Sequence, residues 1–227
     1  MKKGVITTIL LLACTLTAPA QTFPSEEHDE NRQYVGWGLY TGPTLTGYRM
    51  EMGDEGILPE ETSPGMGADA GIYLEYHISE RWSFQLSAAA AMERVLVSRN
   101  DSSNSILTMG LDIALPVMYR IPARYGQWLL SAGPYTHFIF NSWTHGKGNF
   151  ENPFTRVIGN DPRTGEPTFA MGDFNAGLAL AAGYEWAGHW QMTLEMKWGV
   201  SDLLNLDSHD LYVRPYKIGV RVGYYFE

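Results

Sequence analysis

Apolar and polar residues alternate with a period of two along most of the chain after residue 33. In the clearest stretch, 105–120, the odd positions from Leu107 to Tyr119 are apolar, whereas the even positions include Thr108, Gly110, Asp112 and Arg120. A strand places these two sets on opposite faces, whereas a helix would scatter them around its surface. The pattern therefore predicts β-strands.

The same alternation predicts eight strands, over residues 34–48, 66–78, 82–97, 105–120, 127–141, 172–187, 189–201 and 211–226. Strands of soluble proteins commonly have about 5 or 6 residues, and these are much longer. A transmembrane strand needs about 9 to 11 residues. The predicted strands would therefore cross a bilayer and project beyond it.

The connections between these strands alternate in length. The short ones are 79–81, 122–126 and 187–188, and the long ones are 49–65, 98–104, 142–171 and 202–210. Short turns at one end and long loops at the other are typical of outer-membrane barrels. We therefore predict an all-β fold, an eight-stranded antiparallel up-and-down transmembrane β-barrel with short periplasmic turns and long extracellular loops.

The apolar face could line the cavity of a soluble carrier or contact lipid, and two features favour lipid. The polar face carries Gly, Ala, Ser and charges of both signs, which suits the narrow lumen of a small barrel. Aromatic residues of the apolar face lie beside the short turns, as in the interfacial girdle of membrane barrels. The predicted girdle comprises Tyr76, Trp82, Tyr119, Trp128, Trp186 and Trp190.

Charged residues on the polar face would lie in the lumen, where each must be paired because an unpaired buried charge is unstable. We predict an ion-pair network that plugs the barrel and consists of Asp69, Glu75, Glu93, Asp112, Arg120, Asp173, Glu185, Glu195, Lys197, Lys217 and Arg221. The alternative is a narrow ion path or a pH-sensitive gate that uses His77 and His137.

The N-terminus has the features of a secretory signal. Lys2 and Lys3 precede the mostly apolar stretch 5–16, and Ala18-Pro19-Ala20 provides a cleavage site. We predict a signal peptide over residues 1–20. Cys14 follows a sequence that loosely resembles a lipoprotein box, and cleavage after Ala20 would remove it.

The mature chain would then consist of a polar, acidic periplasmic tail over 21–33 and the barrel over 34–227. The net charge of −9 argues against a nucleic-acid partner, since phosphate binding requires a basic face. A single cysteine excludes a disulfide framework and a cysteine-based zinc site.

An enzyme of the lipid A deacylase type would need Ser, His and an acid on the lipid-facing side near the long loops. That face is apolar apart from Thr41 and Arg94, and His137 points inward by parity. The loop 207–210, Asp-Ser-His-Asp, holds suitable residue types for a triad, but four adjacent residues seldom form one. His209 with Asp207 and Asp210 could bind a metal, but two carboxylates and one His in a loop are a weak signal. We expect no enzymatic activity, cofactor or metal.

Two long loops are candidate contact surfaces. The acidic loop 49–61 could bind divalent cations or a basic partner, although a solvated loop is the simpler interpretation. In the loop 142–171, two strand-like segments flank the turn-rich 159–165, which predicts a hairpin that extends the fifth and sixth strands. Its exposed edge could pair with a partner strand.

Several short motifs carry a resemblance to known proteins. They are Ala20-Gln21, Gly65-Met66-Gly67-Ala68, Ala114-Leu115-Pro116-Val117, Ser131-Ala132-Gly133-Pro134 and the ending Gly223-Tyr224-Tyr225-Phe226. The mature chain resembles the small eight-stranded outer-membrane barrels of the OmpA type, and most of all the PorT-type family of Bacteroidota. That resemblance implies an outer-membrane barrel, and one family member is implicated in type IX secretion.

Together these features predict an outer-membrane scaffold or surface-recognition protein that acts through its extracellular loops. The alternatives are a component of protein secretion, a narrow pore or a lipid A-modifying enzyme. The expected partners are outer-membrane lipid, the barrel-assembly machinery during insertion, and an extracellular or periplasmic protein.

Overall fold

The structure is a computed structural model that describes residues 34–51, 61–99, 102–146, 152–160, 167–187, 189–203 and 212–226. The predicted signal peptide, the N-terminal tail and the loop 207–210 lie outside the described residues. So does most of the acidic loop, of which 52–60 are not described. The described ranges contain no helix that is both long and apolar enough to span a bilayer.

Eleven strands form in the described ranges. They are β1 (Tyr34–Glu51), β2 (Glu61–His77), β3 (Trp82–Arg99), β4 (Ser102–Ala114), β5 (Val117–Ala123), β6 (Gly126–Gly146), β7 (Val157–Asn160), β8 (Pro167–Phe169), β9 (Phe174–Trp186), β10 (Trp190–Gly199) and β11 (Tyr212–Phe226).

Nine of these strands form one closed antiparallel sheet. The chain runs β1, β2, β3, β4 with β5, β6, β9, β10 and β11 around the ring, and β11 pairs with β1 to close it. Because β4 and β5 together occupy one strand position between β3 and β6, the barrel has eight strand positions around the ring. The predicted fold class is confirmed.

The fourth strand position is interrupted at Leu115 and Pro116, where the sequence predicted one continuous strand. Proline has no backbone N–H to donate to a neighbouring strand. The Leu115 N–H instead donates to Pro134 O, and the Gln85 N–H donates to Pro116 O, both at 3.0 Å. These bonds keep β4 and β5 in line between β3 and β6.

Two predicted connections differ from the structure. The long loop predicted over 98–104 is wrong, because β3 and β4 continue until only residues 100 and 101 separate them. Strand segments that project beyond the membrane need no alternation of apolar and polar residues. The Ser-rich ends of β3 and β4 therefore carried no pattern that would have predicted strands there. The hairpin predicted within 142–171 is present as β7 and β8, but it forms its own two-stranded sheet rather than extending the main strands.

The outward face of the barrel is apolar and the inward face is polar, as period-two patterning requires. On β10, for example, Met192 and Leu194 are 48% and 50% exposed, whereas Gln191, Glu195 and Lys197 are buried. Apolar side chains exposed around a closed barrel have no protein partner and are suited to contact lipid.

Aromatic residues lie at both ends of this apolar belt. On β10, Trp190 and Trp198 point outward, and their eight-residue separation corresponds to about 26 Å along a strand. With the usual strand tilt of about 40°, this separation spans about 20 Å of height, slightly less than the roughly 25 Å apolar band of such barrels. We call the two ends of the barrel the short-turn end, beside Trp190, and the long-loop end, beside Trp198.

Candidate functional site

The predicted girdle residues lie at the short-turn end and face outward. Trp82 packs on Tyr119 at 4.6 Å between ring centroids, and Trp128 packs on Tyr184 at 5.0 Å. The girdle also includes aromatic residues that the prediction did not assign to it, although they lie on the same apolar face. They are Trp37, Tyr184, Tyr224 and Phe226, which contact one another or Trp128, Trp186 and Trp190.

The lumen near the short-turn end holds an ion pair between Glu75 of β2 and Arg120 of β5. Arg120 Nη1 lies 2.5 Å from Glu75 Oε1 and donates to Ser83 Oγ at 2.7 Å, and the Ser83 hydroxyl in turn donates to Glu75. All three side chains are buried. Below them, His77 Nε2 and the Tyr225 hydroxyl are 3.0 Å apart.

Glu185 of β9 lies at a similar level and is held by amides instead of a cation. Its Oε1 accepts from Gln127 Nε2 at 2.8 Å, and its Oε2 accepts from Gln191 Nε2 at 2.6 Å. Gln191 Oε1 accepts from the Tyr73 hydroxyl at 3.0 Å. Neutral donors therefore satisfy this carboxylate, which the sequence had placed among paired charges.

Asp112 of β4 is the centre of a second cluster in the middle of the lumen. Its Oδ2 accepts from Lys197 Nζ and from Lys217 Nζ, both at 2.7 Å, and its Oδ1 lies 2.5 Å from His137 Nδ1. Lys217 Nζ also donates to Glu93 Oε1 at 2.7 Å. The five side chains are buried, so each lysine depends on these carboxylates for a counter-charge.

Arg221 of β11 extends the cluster to the opposite wall. Its Nη1 donates to Glu195 Oε1 at 2.6 Å and its Nη2 donates to Asp69 Oδ2 at 3.0 Å. The guanidinium stacks over the Tyr40 ring, with 4.3 Å between Cζ and the ring centroid. Glu195 Oε2 lies 3.3 Å from Lys197 Nζ, which joins this group to Asp112.

The structure thus brings ten of the eleven predicted network residues into the lumen. Nine of them form the two ion-pair clusters, and Glu185 is held by amides. Asp173 is the exception, and its placement in the network was wrong. It is exposed and precedes β9, where the chain has left the strand geometry on which parity depends. The sequence also did not assign to the network the neutral residues that complete it, Tyr73, Ser83, Gln127, Gln191 and Tyr225.

Glu93, Asp112 and His137 form the group with the spacing of a metal site, since one ligand atom from each lies within 4.8 Å of the others. Lys217 Nζ already bonds both carboxylates, and Lys197 bonds Asp112. A divalent ion there would have to displace these ammonium groups or lie beside them, where like charges repel. The chemistry of this group is that of an ion-pair network.

Above the charged clusters, the lumen is closed by apolar side chains that we call the cap. Five come from inward positions of the barrel wall and three from the loops above it. They are Tyr48, Val95, Val97, Ile106 and Val213 of the wall, and Phe154, Met171 and Leu203 of the loops. The inward valines and isoleucine are a sequence signal, because they interrupt the polar face at the long-loop end.

Backbone hydrogen bonds hold the loop residues of the cap in place. The Leu203 N–H donates to Val213 O at 2.9 Å, and the Gly172 N–H donates to Leu203 O at 2.7 Å. The Met171 N–H donates to Pro153 O at 3.0 Å. The cap therefore joins three segments of chain to one wall of the barrel.

Little space remains between these groups. A cavity of about 50 Å³ lies beside Arg221, Glu195 and Tyr73, and one of about 20 Å³ lies beside His137 and Lys217. Such volumes hold a few water molecules. The charged side chains of the lumen and the apolar side chains of the cap therefore occupy most of the interior in the described part of the barrel.

Comparison with known families agrees with this architecture. A sequence model described as "Outer membrane protein beta-barrel domain" matches residues 20–205, well over half of the chain. The chain belongs to this family. As an outer-membrane barrel, it resides in the outer membrane, with its long loops on the extracellular side and its short turns in the periplasm.

Solved structures of outer-membrane barrels are similar to the chain. OprG of Pseudomonas aeruginosa is 13% identical, with 85% of this chain and 96% of that chain covered and a TM-score of 0.46. Neisserial surface protein A is 10% identical, with coverage of 83% and 96% and a TM-score of 0.41. Ail of Yersinia pestis is 13% identical, with coverage of 84% and 98% and a TM-score of 0.38. No curated protein sequence matches the chain significantly.

The filled lumen predicts that this outer-membrane barrel does not conduct ions. We expect no conductance steps when the purified protein is reconstituted in a planar lipid bilayer, because the cap and the ion pairs occupy the path. A large trimeric porin measured in the same bilayers serves as the positive control. Discrete steps from the purified protein would contradict a closed lumen.

Proposed function

We propose that the protein is a membrane anchor that presents its extracellular loops for recognition of an outside partner. The observation that carries the proposal is the hairpin β7–β8, which stands in the longest loop as a separate sheet. Among the described strands, β7 pairs only with β8, so each strand keeps one free edge. A free edge can accept a strand from another protein.

The hairpin is supported at its base. Asn152 Oδ1 accepts from the Phe154 N–H at 3.1 Å, and Asn152 Nδ2 donates to Ser142 Oγ at 2.8 Å, which ties the loop to β6. The Ala170 N–H donates to Arg156 O at 2.9 Å. Phe154 packs on the cap, so the barrel and the hairpin base share one apolar cluster. An element fixed in this way loses little conformational freedom on binding.

The three alternatives predict other phenotypes. A secretion role of the PorT type predicts loss of exported proteins when the gene is deleted. A lipid A-modifying enzyme predicts a change in lipid A mass on expression. A pore predicts conductance. The filled lumen argues against the last. The mostly apolar outward face argues against the second, because its described polar residues, such as Thr41 and Arg94, include no Ser, His and acid placed together.

The test compares three forms of the mature protein in lipid nanodiscs on an array of extracellular matrix proteins and glycans. One form is unchanged, one has residues 158–168 replaced by a Gly-Ser linker, and the control has the periplasmic turn 79–81 replaced in the same way. We expect at least one array component to bind the unchanged and control forms and to bind the hairpin variant at least tenfold more weakly.

Equal binding by all three forms, or no binding by any, would contradict recognition through the hairpin. Loss of exported proteins in a deletion strain, restored by the hairpin variant, would instead establish the secretion role. A heat-dependent band shift on a gel verifies that each form contains a folded barrel.

A further inference from the structure

Two arginines face each other on the outside of the barrel at its extracellular end. Arg49 of β1 and Arg214 of β11 are directly opposite in the antiparallel pair, and both are exposed. They share the outward face with the pairs Leu45–Ile218 and Trp37–Phe226 in the same ladder. Side chains of opposite residues have Cβ atoms only about 5 Å apart, and like charges in this position repel each other.

Arg214 is held by stacking, since its Cζ lies 4.7 Å from the centroid of the Tyr212 ring. Two guanidinium groups directly opposite each other concentrate positive charge on this part of the outward face. Such a pair favours an anion that can bridge both groups, and phosphate is the anion whose geometry suits a guanidinium fork.

The aromatic residues below the two arginines show at which height of the membrane such an anion would bind. Directly below it on the outward face, the Tyr216 ring lies over Gly47, where an added Cβ would be 2.5 Å from Tyr216 Cζ. Tyr216 neighbours Trp198, which marks the outer aromatic level. The arginines are thus one two-residue step, about 6.6 Å along the strand, above that level. This height corresponds to lipid headgroups of the outer leaflet.

An apolar surface continues from the pair towards the middle of the membrane. It consists of Leu45, which is 47% exposed, and Ile218 beside it, below the rings of Tyr216 and Trp198. A headgroup phosphate on the arginines would place its acyl chains against this surface. A soluble anion would use only the arginines, so the combination favours a lipid.

We propose that Arg49 and Arg214 form a binding site for the phosphate groups of an outer-leaflet lipid, of which bisphosphorylated lipid A is the probe. The site neutralises the cross-strand repulsion and lies at the seam where the first and last strands meet. It is independent of the hairpin and of any extracellular partner.

The test is a native mass spectrometry titration of the mature protein in detergent with bisphosphorylated lipid A. The double variant Arg49→Gln and Arg214→Gln is compared with Arg81→Gln and Arg124→Gln, which remove the same charge at the periplasmic turns. Arg124 also stacks on a tyrosine, with 5.1 Å from Cζ to the Tyr125 centroid, so the control is closely matched. A heat-dependent gel shift verifies folding of each variant.

We expect lipid A to bind the Arg49/Arg214 variant about tenfold more weakly than the unchanged protein, and the control variant to bind within twofold of it. Lipid A without its phosphates should bind all forms weakly and alike. Equal binding by both variants would overturn the site. Inorganic pyrophosphate is titrated in the same way. If it binds the unchanged protein as tightly as lipid A does, and if the Arg49/Arg214 variant loses that binding, the lipid assignment is overturned and the ligand is a soluble anion.

Discussion

Replacing Asp112 by Asn is expected to lower the free energy of unfolding by about 3 to 5 kcal/mol, the range for removing one partner of a buried ion pair. The Asp112 carboxylate is 2% exposed and bonds Lys197, Lys217 and His137. An amide of the same shape keeps the packing but removes the negative charge. Two buried ammonium groups would then share the remaining carboxylates, with Asp112 no longer between them.

The measurement is the midpoint of the heat-dependent gel shift, supported by urea unfolding in lipid vesicles. Asp173→Asn is the matched control, since Asp173 is an exposed carboxylate outside the network. We expect the control to unfold like the unchanged protein, within about 0.5 kcal/mol. If Asp112→Asn and Asp173→Asn have the same midpoint, the lumen charges do not stabilise the barrel in the way the geometry indicates.

Replacing Leu194 by Arg is expected to cost about 2 to 4 kcal/mol of barrel stability, as for a cation at the bilayer midplane. Leu194 is 50% exposed and lies midway between the two outward-facing tryptophans of β10, Trp190 and Trp198. No lumen group can reach an outward side chain at this position. The cost therefore measures transfer of a guanidinium from water into the acyl region.

Val200→Arg is the control for position within the membrane. Val200 is 59% exposed and lies just beyond Trp198 at the extracellular end, so an arginine there lies near the membrane surface. A cation near the interface costs about 0 to 1 kcal/mol. Both variants are unfolded by urea in lipid vesicles and followed by tryptophan fluorescence. Equal free energies for the two variants would show that the apolar face is not immersed in lipid.

The two faces of the barrel were predictable because strand parity depends on nothing beyond the local sequence. Asp112 and Lys217 were both placed inward by counting residues, and both lie in the lumen. Their direct contact was not predictable, because it depends on how far each strand is displaced relative to the others around the ring. That displacement is a property of the closed sheet and is absent from any single strand.

Prediction failed where the chain leaves regular strands. Asp173 follows the parity of β9 but precedes its first residue, so the rule no longer applies. Met171 and Leu203 of the cap lie in loops, where no periodicity indicates burial. The wall residues of the cap, such as Val95, were visible as apolar positions on the polar face, and they could have indicated that something apolar lies above them.

The charges of the lumen are unevenly distributed along the chain, and this has a consequence for how the barrel assembles. Asp69, Glu93 and Asp112 lie on early strands, whereas their partners Lys197, Lys217 and Arg221 lie on the last two. Lys217 meets Glu93 across 124 residues of sequence and Asp112 across 105. A chain that has inserted only its first strands holds an excess of negative charge towards the interior, and a chain without its final strand cannot neutralise it. Arrival of the C-terminal strand therefore completes the electrostatics and the hydrogen bonding of the ring in one cooperative step, which disfavours a half-formed barrel as a stable intermediate.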